Sequence, residues 1–419
     1  MQHKPRILIA GGGIGGLCAA LCLKRIGADV VVLEASAQLA PLGVGINVLP
    51  HAVAVLEDLG LLPQMHAMGV ETSAVVFANR FGQSIYRDAR GTAGAYSHPQ
   101  FSVHRGHFQQ MLWQQAVQSM GEGALRLGCR LASFETSSHS VLARFDRTNA
   151  RPLLLEADLL IAADGIHSAA RKQLYPQEGG PRWNGMMMWR GTSRTRPFLD
   201  GRTMLQMGNR MAKFVAYAIQ PPSPDGLQLV NWICDRRLHE DGIGGGLAAP
   251  SREDWSKPGS LQDLLPTFDS WQFEDLRVTE LLQQALQIFE WPMVDRDPLP
   301  QWTHGRVTLL GDAAHPMYPI GSNGATQAIM DAASLARHLS GNVEPDLALQ
   351  AYEAERRPLC AKLVQMNRQE GLDSILDWVE ARAPNGFRQL QDVIDPQEID
   401  DHVRAYKQAA GHQQYMGKA

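Results

Sequence analysis

The stretch Ile7-Leu8-Ile9-Ala10-Gly11-Gly12-Gly13-Ile14-Gly15-Gly16-Leu17 leaves the chain few options. A short apolar run that ends in glycine reads as a buried parallel strand. Gly11, Gly13 and Gly16 then fall at G-x-G-x-x-G spacing, with Ile14 and Gly15 between them. The first glycine permits a tight turn, the second lets backbone approach a pyrophosphate, and the third lets a helix pack close to the strand. That helix points free N–H groups and a partial positive charge at the phosphate. After Gly27 a second strand, Val30-Val31-Val32-Leu33, ends at Glu34, followed by Ala35. A carboxylate at that tip can accept hydrogen bonds from both ribose hydroxyls of an adenosine. Strand, turn, helix, strand and acid in this order specify a dinucleotide site, without deciding between NAD and FAD.

The chain has 419 residues, room for two intimately joined domains or one large one. A net charge of −4 points away from a nucleic-acid partner. The five cysteines, Cys18, Cys22, Cys129, Cys234 and Cys360, are odd in number and suit a reducing cytoplasm better than a disulfide framework. No Cys or His run has metal-ligand spacing, so no metal is expected. Lys4 and Arg6 precede too short an apolar run for a signal peptide, and no stretch is long enough to span a bilayer.

Farther along, Pro41-Leu42-Gly43-Val44-Gly45-Ile46 reads as a plain turn or as a loop beside something flat or phosphorylated. Ala74–Phe77 and Ser84–Tyr86, joined through Gly82, read as a hairpin of an inserted unit. Phe101–His104 is an expected strand, and Arg105 opens a helix where it could meet a pyrophosphate or simply face solvent. Leu153–Leu155 and Leu159–Ala162 read as a strand pair leading into Asp164-Gly165. Asp164 there either braces a nucleotide-side turn or caps a helix. Between about 181 and 290 strands and turns dominate. Trp189, Tyr217, Trp232 and the methionines suit a sheet facing a flat apolar ligand, and suit an ordinary core as well. Gly242–Gly246 reads as a loop.

A second decisive stretch is Val307-Thr308-Leu309-Leu310-Gly311-Asp312-Ala313-Ala314-His315-Pro316. Asp312 stands at the carboxyl end of a strand, where α/β sheets bind ligands. Pro319–Ala325 then leads into another helix, aiming a second helix N-terminus at the same cleft. From about Pro345 the chain reads as helices, with a polar tail after about Ala409.

Together, Gly11–Gly16 with Glu34, Ala163-Asp164-Gly165 and Leu310–Pro316 resemble the motifs of the class A flavoprotein aromatic hydroxylases, the group of p-hydroxybenzoate and salicylate hydroxylases. Trp189-Arg190-Gly191, Pro292–Pro300, Pro41–Asn47 and Gly321-Ser322-Asn323-Gly324-Ala325 resemble its phenazine-tailoring branch, the 5-methylphenazine-1-carboxylate 1-monooxygenases. Most of the wider family has Gly-Gln-Gly where this chain has Ser322-Asn323-Gly324.

The resemblance implies an α/β fold, with a Rossmann-like FAD-binding domain, an inserted mixed β-sheet substrate domain and C-terminal helices. The expected FAD-binding parts are 1–71, 101–176 and 291–341. The substrate domain takes 72–100 and 177–290, and the terminal helices take 342–419. FAD is the implied cofactor and NADH or NADPH the transient co-substrate. A small aromatic substrate and O2 are the partners, with no membrane or nucleic acid, in a monomer or homodimer.

By the same resemblance, Glu34 and Ala35 sit at the adenosine ribose, the backbone near Leu131 at adenine, and Arg105 at the pyrophosphate or ribityl. Asp312 holds the ribityl hydroxyls, Asp164 braces the nucleotide side, and Gly43 and Val44 lie beside the flavin. Asn323, Gly324 and Ala325 stabilise charge at its N1 and O2. Trp189, Arg190, Tyr217, Trp232 and Pro316 are the substrate-side candidates, and Tyr217 or His315 could polarise a substrate hydroxyl. The implied reaction is hydroxylation through a flavin C4a-hydroperoxide, with loss of CO2 where the attacked carbon bears a carboxylate. Hydroxylation without decarboxylation, or a flavin dehydrogenase or reductase, are the alternatives.

Overall fold

The computed structural model describes residues 4–39, 44–242, 247–250, 257–341 and 343–410. The chain opens with β1 (Arg6–Ala10), α1 (Ile14–Arg25) and β2 (Asp29–Leu33), then β3 (Gly45–Val48) and α2 (Pro50–Asp58). A hairpin, β4 (Ala74–Ala78) and β5 (Ser84–Ala89), is followed by β6 (Phe101–His104), α3 (Arg105–Met120) and β7 (Leu125–Arg126). Next come β8 (Cys129–Thr136), β9 (Val141–Arg147), β10 (Ala150–Ala157), β11 (Leu159–Ala162) and α4 (Ala169–Leu174). The long strands β12 (Arg182–Thr195), β13 (Thr203–Gly208), β14 (Ala212–Ala218), β15 (Gln228–Arg237) and β16 (Ala285–Asp295) follow. The chain closes with β17 (Thr303–His304), β18 (Val307–Leu309), α5 (Asn323–His338), α6 (Pro345–Arg368), α7 (Ser374–Arg382) and α8 (Pro396–Ala409).

Strands β17-β18-β11-β1-β2-β7 make a six-stranded sheet, with β1 parallel to β2 and β11, and β11 parallel to β18. Ile7 to Ala10 are buried, as a strand covered on both faces requires. Gly11 takes a left-handed φ of 112°, and a Cβ there would lie 2.2 Å from the Ala163 carbonyl oxygen. A Cβ on Gly16 would lie 2.1 Å from the Gly11 carbonyl oxygen. Gly11 and Gly16 are thus packing requirements of the turn itself, and α1 packs between α3 and α5.

The expected pairing of Leu153–Leu155 with Leu159–Ala162 does not occur. β10 alternates in exposure and joins the meander β8-β9-β10, while fully buried β11 enters the central sheet beside β1. The β4–β5 hairpin crosses into an eight-stranded sheet in the order β12-β15-β14-β13-β4-β5, in which β16 and the two-residue strand Leu247–Ala248 also pair with β12. β4 runs parallel to β13, which makes the sheet mixed. The residues 411–419 and 243–246 of the expected tail and loop lie outside the described residues.

Gly16→Ala should lower stability by about 1–3 kcal/mol, the usual range for forcing an atom into a packed site. A fall in the urea midpoint measures it; an unchanged midpoint would contradict the packing role.

Candidate active site

A cavity of about 410 Å³ runs between the two sheets. At one end it is lined by Gly13, Ile14, Gly15, Arg105, Asp312, Gly324 and Ala325. The turn after β1 and the turn after β18 therefore meet across one opening, because β11 alone separates their strands. Asp312 is exposed to the cleft. Its carboxyl is raised by desolvation, against the pull of the His315 and Arg105 charges. Val44 lines the same wall, and its carbonyl accepts the Arg105 backbone N–H at 3.0 Å. Gly43 lies outside the described residues.

The Asp312 turn is braced from beneath by a buried ionic cluster. Asp331, on α5, accepts from His315 Nε2 at 2.6 Å, from Arg356 Nε at 2.8 Å and from the Gly311 N–H at 3.1 Å. Burial alone would raise the Asp331 carboxyl, but His315 and Arg356 outweigh it and hold it at about 2. Burial works against the His315 cation, yet Cys360 and Asp331 push its pKa well above the ordinary value. His315, Asp331 and Cys360 place ligand atoms within 4.8 Å of one another. With Arg356 on the carboxylate, the group is an ion-pair cluster. Arg171, 1 % exposed, donates to the Ala313 and Ala314 carbonyl oxygens and pairs with Glu178. It clamps the Asp312 turn to α4.

The other end of the cavity has one face of the large sheet as its floor. Across the strands, Arg190 pairs with Ile233, Ile233 with Val215, Val215 with Gln206 and Gln206 with Phe77. Neighbouring rows add Met188, Asp235 and Lys213 on one side and Tyr217, Met204 and Val75 on the other. Strand residues alternate faces, so Trp189 and Trp232 point the other way. They pack in the core behind the sheet, their indole N–H groups on Glu290 and on Ser193 Oγ. The expectation that these tryptophans face a ligand is corrected by this parity.

Arg190 and Tyr217 do face the cavity and are hydrogen-bonded to each other. Arg190 also donates to the Gly45 carbonyl oxygen. Burial raises the Tyr217 phenol against the lowering influence of Arg190. It is therefore a neutral donor at ordinary pH.

His315 and Pro316 are buried inside the turn and do not line the cavity, whereas Met317 and Pro319 do. The proposed contact of His315 with substrate is corrected accordingly, since its ring is committed to Asp331. The Asn323 side chain also turns away, donating to Tyr406 Oη at 3.0 Å. Only backbone at this helix start can serve a ligand.

Glu34 accepts from the Gly12 N–H at 2.6 Å and the Ser36 N–H at 2.7 Å, with Ala35 beside it. Asp164 accepts from the Ala169 N–H at 2.7 Å, and its Oδ1 is buried without a partner. The Leu131 side chain is buried in the core, opposite Phe145 in the meander. Asp331, Arg171, Lys213 and Asp235 escaped sequence reasoning. Asp331 left one clue, an acid amid the small apolar residues of α5.

Residues 4–367 match the profile of the FAD-binding-domain family. The chain belongs to that family and is an FAD-dependent aromatic monooxygenase. It is 42% identical over 367 residues to phenazine 1,6-dicarboxylic acid hydroxylase of Lysobacter antibioticus, covering 86% of this chain and 89% of that protein. It is 30% identical over 417 residues to a 3-amino-4-hydroxybenzoate 2-monooxygenase of Streptomyces platensis, covering 96% of each. The fold matches Klebsiella pneumoniae HpxO complexed with FAD and uric acid, with a TM-score of 0.76 at 23% identity over 97% of both chains. It also matches a salicylate hydroxylase substrate complex, with a TM-score of 0.74 at 22% identity, covering 99% of this chain and 96% of that one.

The residues present fit such a cofactor. A Cβ on Gly13 or on Gly324 would meet nothing within 4 Å, so both backbones stand open to the cavity for close approach. Among the described residues no helix is long and apolar enough to cross a membrane.

Asp331→Asn leaves His315 and Arg356 without their carboxylate, and should cost about 3–5 kcal/mol by denaturant unfolding. The Asp331 pKa is depressed, so its stabilisation is present above the ordinary carboxylate value of 3.8 and lost as pH falls through about 2. The gap between wild type and variant should accordingly narrow over that interval.

Proposed function

We propose that this enzyme hydroxylates a flat heteroaromatic carboxylate of phenazine type, with loss of CO2 where the attacked ring carbon bears the carboxylate. The observation that carries it is the single cavity that joins the Gly13–Asp312 opening to an apolar floor bounded by Arg190 and Tyr217. The phenazine hydroxylase, 42% identical to this chain, supports the choice of ring system.

Bound FAD supplies hydride acceptance from NAD(P)H and activation of O2 for transfer of one oxygen atom. In the proposed arrangement Gly13, Ile14 and Gly15 take the pyrophosphate on the N-terminus of α1. Glu34 takes the adenosine ribose, and Arg105 and Asp312 the ribityl and phosphate region. The Gly324 and Ala325 N–H groups, at the start of α5, favour negative charge on the isoalloxazine.

Arg190 orients the substrate carboxylate through charge-assisted hydrogen bonds. Tyr217, kept neutral, donates its O–H toward substrate oxygen. Ile233, Val215, Met204 and Val75 exclude water from the ring faces. One atom of O2 enters the ring and the other leaves as water, with NAD(P)H giving two electrons. When the carboxylate departs as CO2, the electron pair of its bond returns to the ring.

Aromatic acids screened against NADH and NADPH should include one that stimulates cofactor oxidation, with hydroxylated product and CO2 in equal amounts. Product that retains the carboxylate would favour simple ring hydroxylation, and no incorporation of labelled O2 would favour a reductase. Asp312→Ala and Gly13→Ala should each weaken FAD binding at least tenfold by flavin-fluorescence titration while far-UV circular dichroism stays native. Unchanged affinity would remove these residues from the cofactor site.

A further inference from the structure

The edge of the floor away from Arg190 carries a polar pair that the proposed chemistry does not use. Arg90 follows β5, its backbone N–H donating to the Ser73 carbonyl oxygen just before β4. It lines the cavity and is 7 % exposed. One terminal nitrogen lies 2.8 Å from Asp88, and the same carboxylate lies 2.6 Å from Lys407. Asp88 is thus shared between the two cations. Arg90 Nε is buried without a partner.

Gln100, 2 % exposed, also lines the cavity. Its amide nitrogen reaches only Met204 Sδ, at 3.8 Å, and its amide oxygen has no partner. An unmet buried polar atom is costly, and both side chains that carry one here line the same cavity. A ligand group that accepts from Arg90 and bonds the Gln100 amide would relieve both.

Arg190 stands on β12, at the far side of the same floor. From β12 across β15, β14, β13 and β4 to β5 is roughly 24 Å of backbone, at about 4.8 Å per strand, and Arg90, opposite Ser73, lies four residues along from the row of Arg190 and Phe77. Both arginines line the cavity together with Ile233, Val215, Met204 and Val75. The other cation on the floor is already neutralised, since Lys213 lies 2.5 Å from Asp373 and 3.3 Å from Asp235. Arg105 faces Asp312.

Resting on the reading of this cavity as an aromatic-acid site, we infer that Arg90 and Gln100 bind a second anionic oxygen of the substrate, opposite Arg190. The site then selects planar aromatic dicarboxylates over monocarboxylates, and Arg90 and Gln100 are specificity-determining residues.

The test is steady-state NAD(P)H oxidation by the FAD-loaded enzyme, with phenazine-1,6-dicarboxylate and phenazine-1-carboxylate as probes. Wild type should show a KM at least tenfold lower for the diacid. Arg90→Gln should raise the diacid KM about tenfold or more while kcat moves only a few-fold, so that the preference collapses. Gln100→Leu leaves the Asp88–Lys407 pair untouched and should erode the preference in the same direction, which keeps the test decisive if the Arg90 variant fails to fold. A wild-type preference for the monoacid, or a preference unchanged in the folded variants, overturns the assignment while the aromatic-acid reading stands. If neither acid stimulates oxidation by wild type, that reading fails and this assignment with it.

Discussion

The buried carboxylate of Asp331 is the contact on which the Gly13–Asp312 end of the cavity depends. One side chain gathers His315, Arg356 and the Gly311 N–H, and thereby fixes the turn that presents Asp312 to the cleft. Such a cluster is stable only when every charge has a partner. Arg171 adds an independent tie from α4 to the same turn. The turn after β1 is rigid for another reason, because Gly11 and Gly16 leave no room for a side chain. Two turns, one held by ions and one by close packing, frame the opening.

The end of the cavity over the large sheet is built on a different principle. A mixed sheet offers one alternating face to the cavity and the other to a tryptophan-rich core. The polar residues on the cavity face stand around an apolar strip. The hydrophobic ring faces and the polar edges of a flat ligand would thus meet separate, preformed surfaces. Little of the floor has to move for binding, since most of its charges are already paired with each other.

How much of this was legible in the sequence follows from the range of each signal. The Gly11–Gly16 turn, the Glu34 strand end and the Asp312 turn are local patterns, and they read correctly as elements of a dinucleotide-binding fold. The tryptophans misled because side-chain parity in a sheet is set by register with other strands. Trp189 faces the same side as Cys234, and Trp232 the same side as Ala216, pairings separated by tens of residues or by another strand. His315 misled for a similar reason, as its partner Asp331 lies more than four helical turns of chain away. The strand Leu159–Ala162 was recognised, but its neighbour was not, because a fully buried strand takes its partners from the whole fold.

Tyr406, on α8, has its hydroxyl against Asn323 and Asn367, and a Cβ on Gly321 would fall 2.1 Å from that oxygen. The next residue, Lys407, binds Asp88 at the rim of the large sheet. Helix α8 therefore buttresses the turn that leads into α5 and the rim of the large sheet at once. One helix thus ties together two regions that lie 83 and 319 residues from it in sequence.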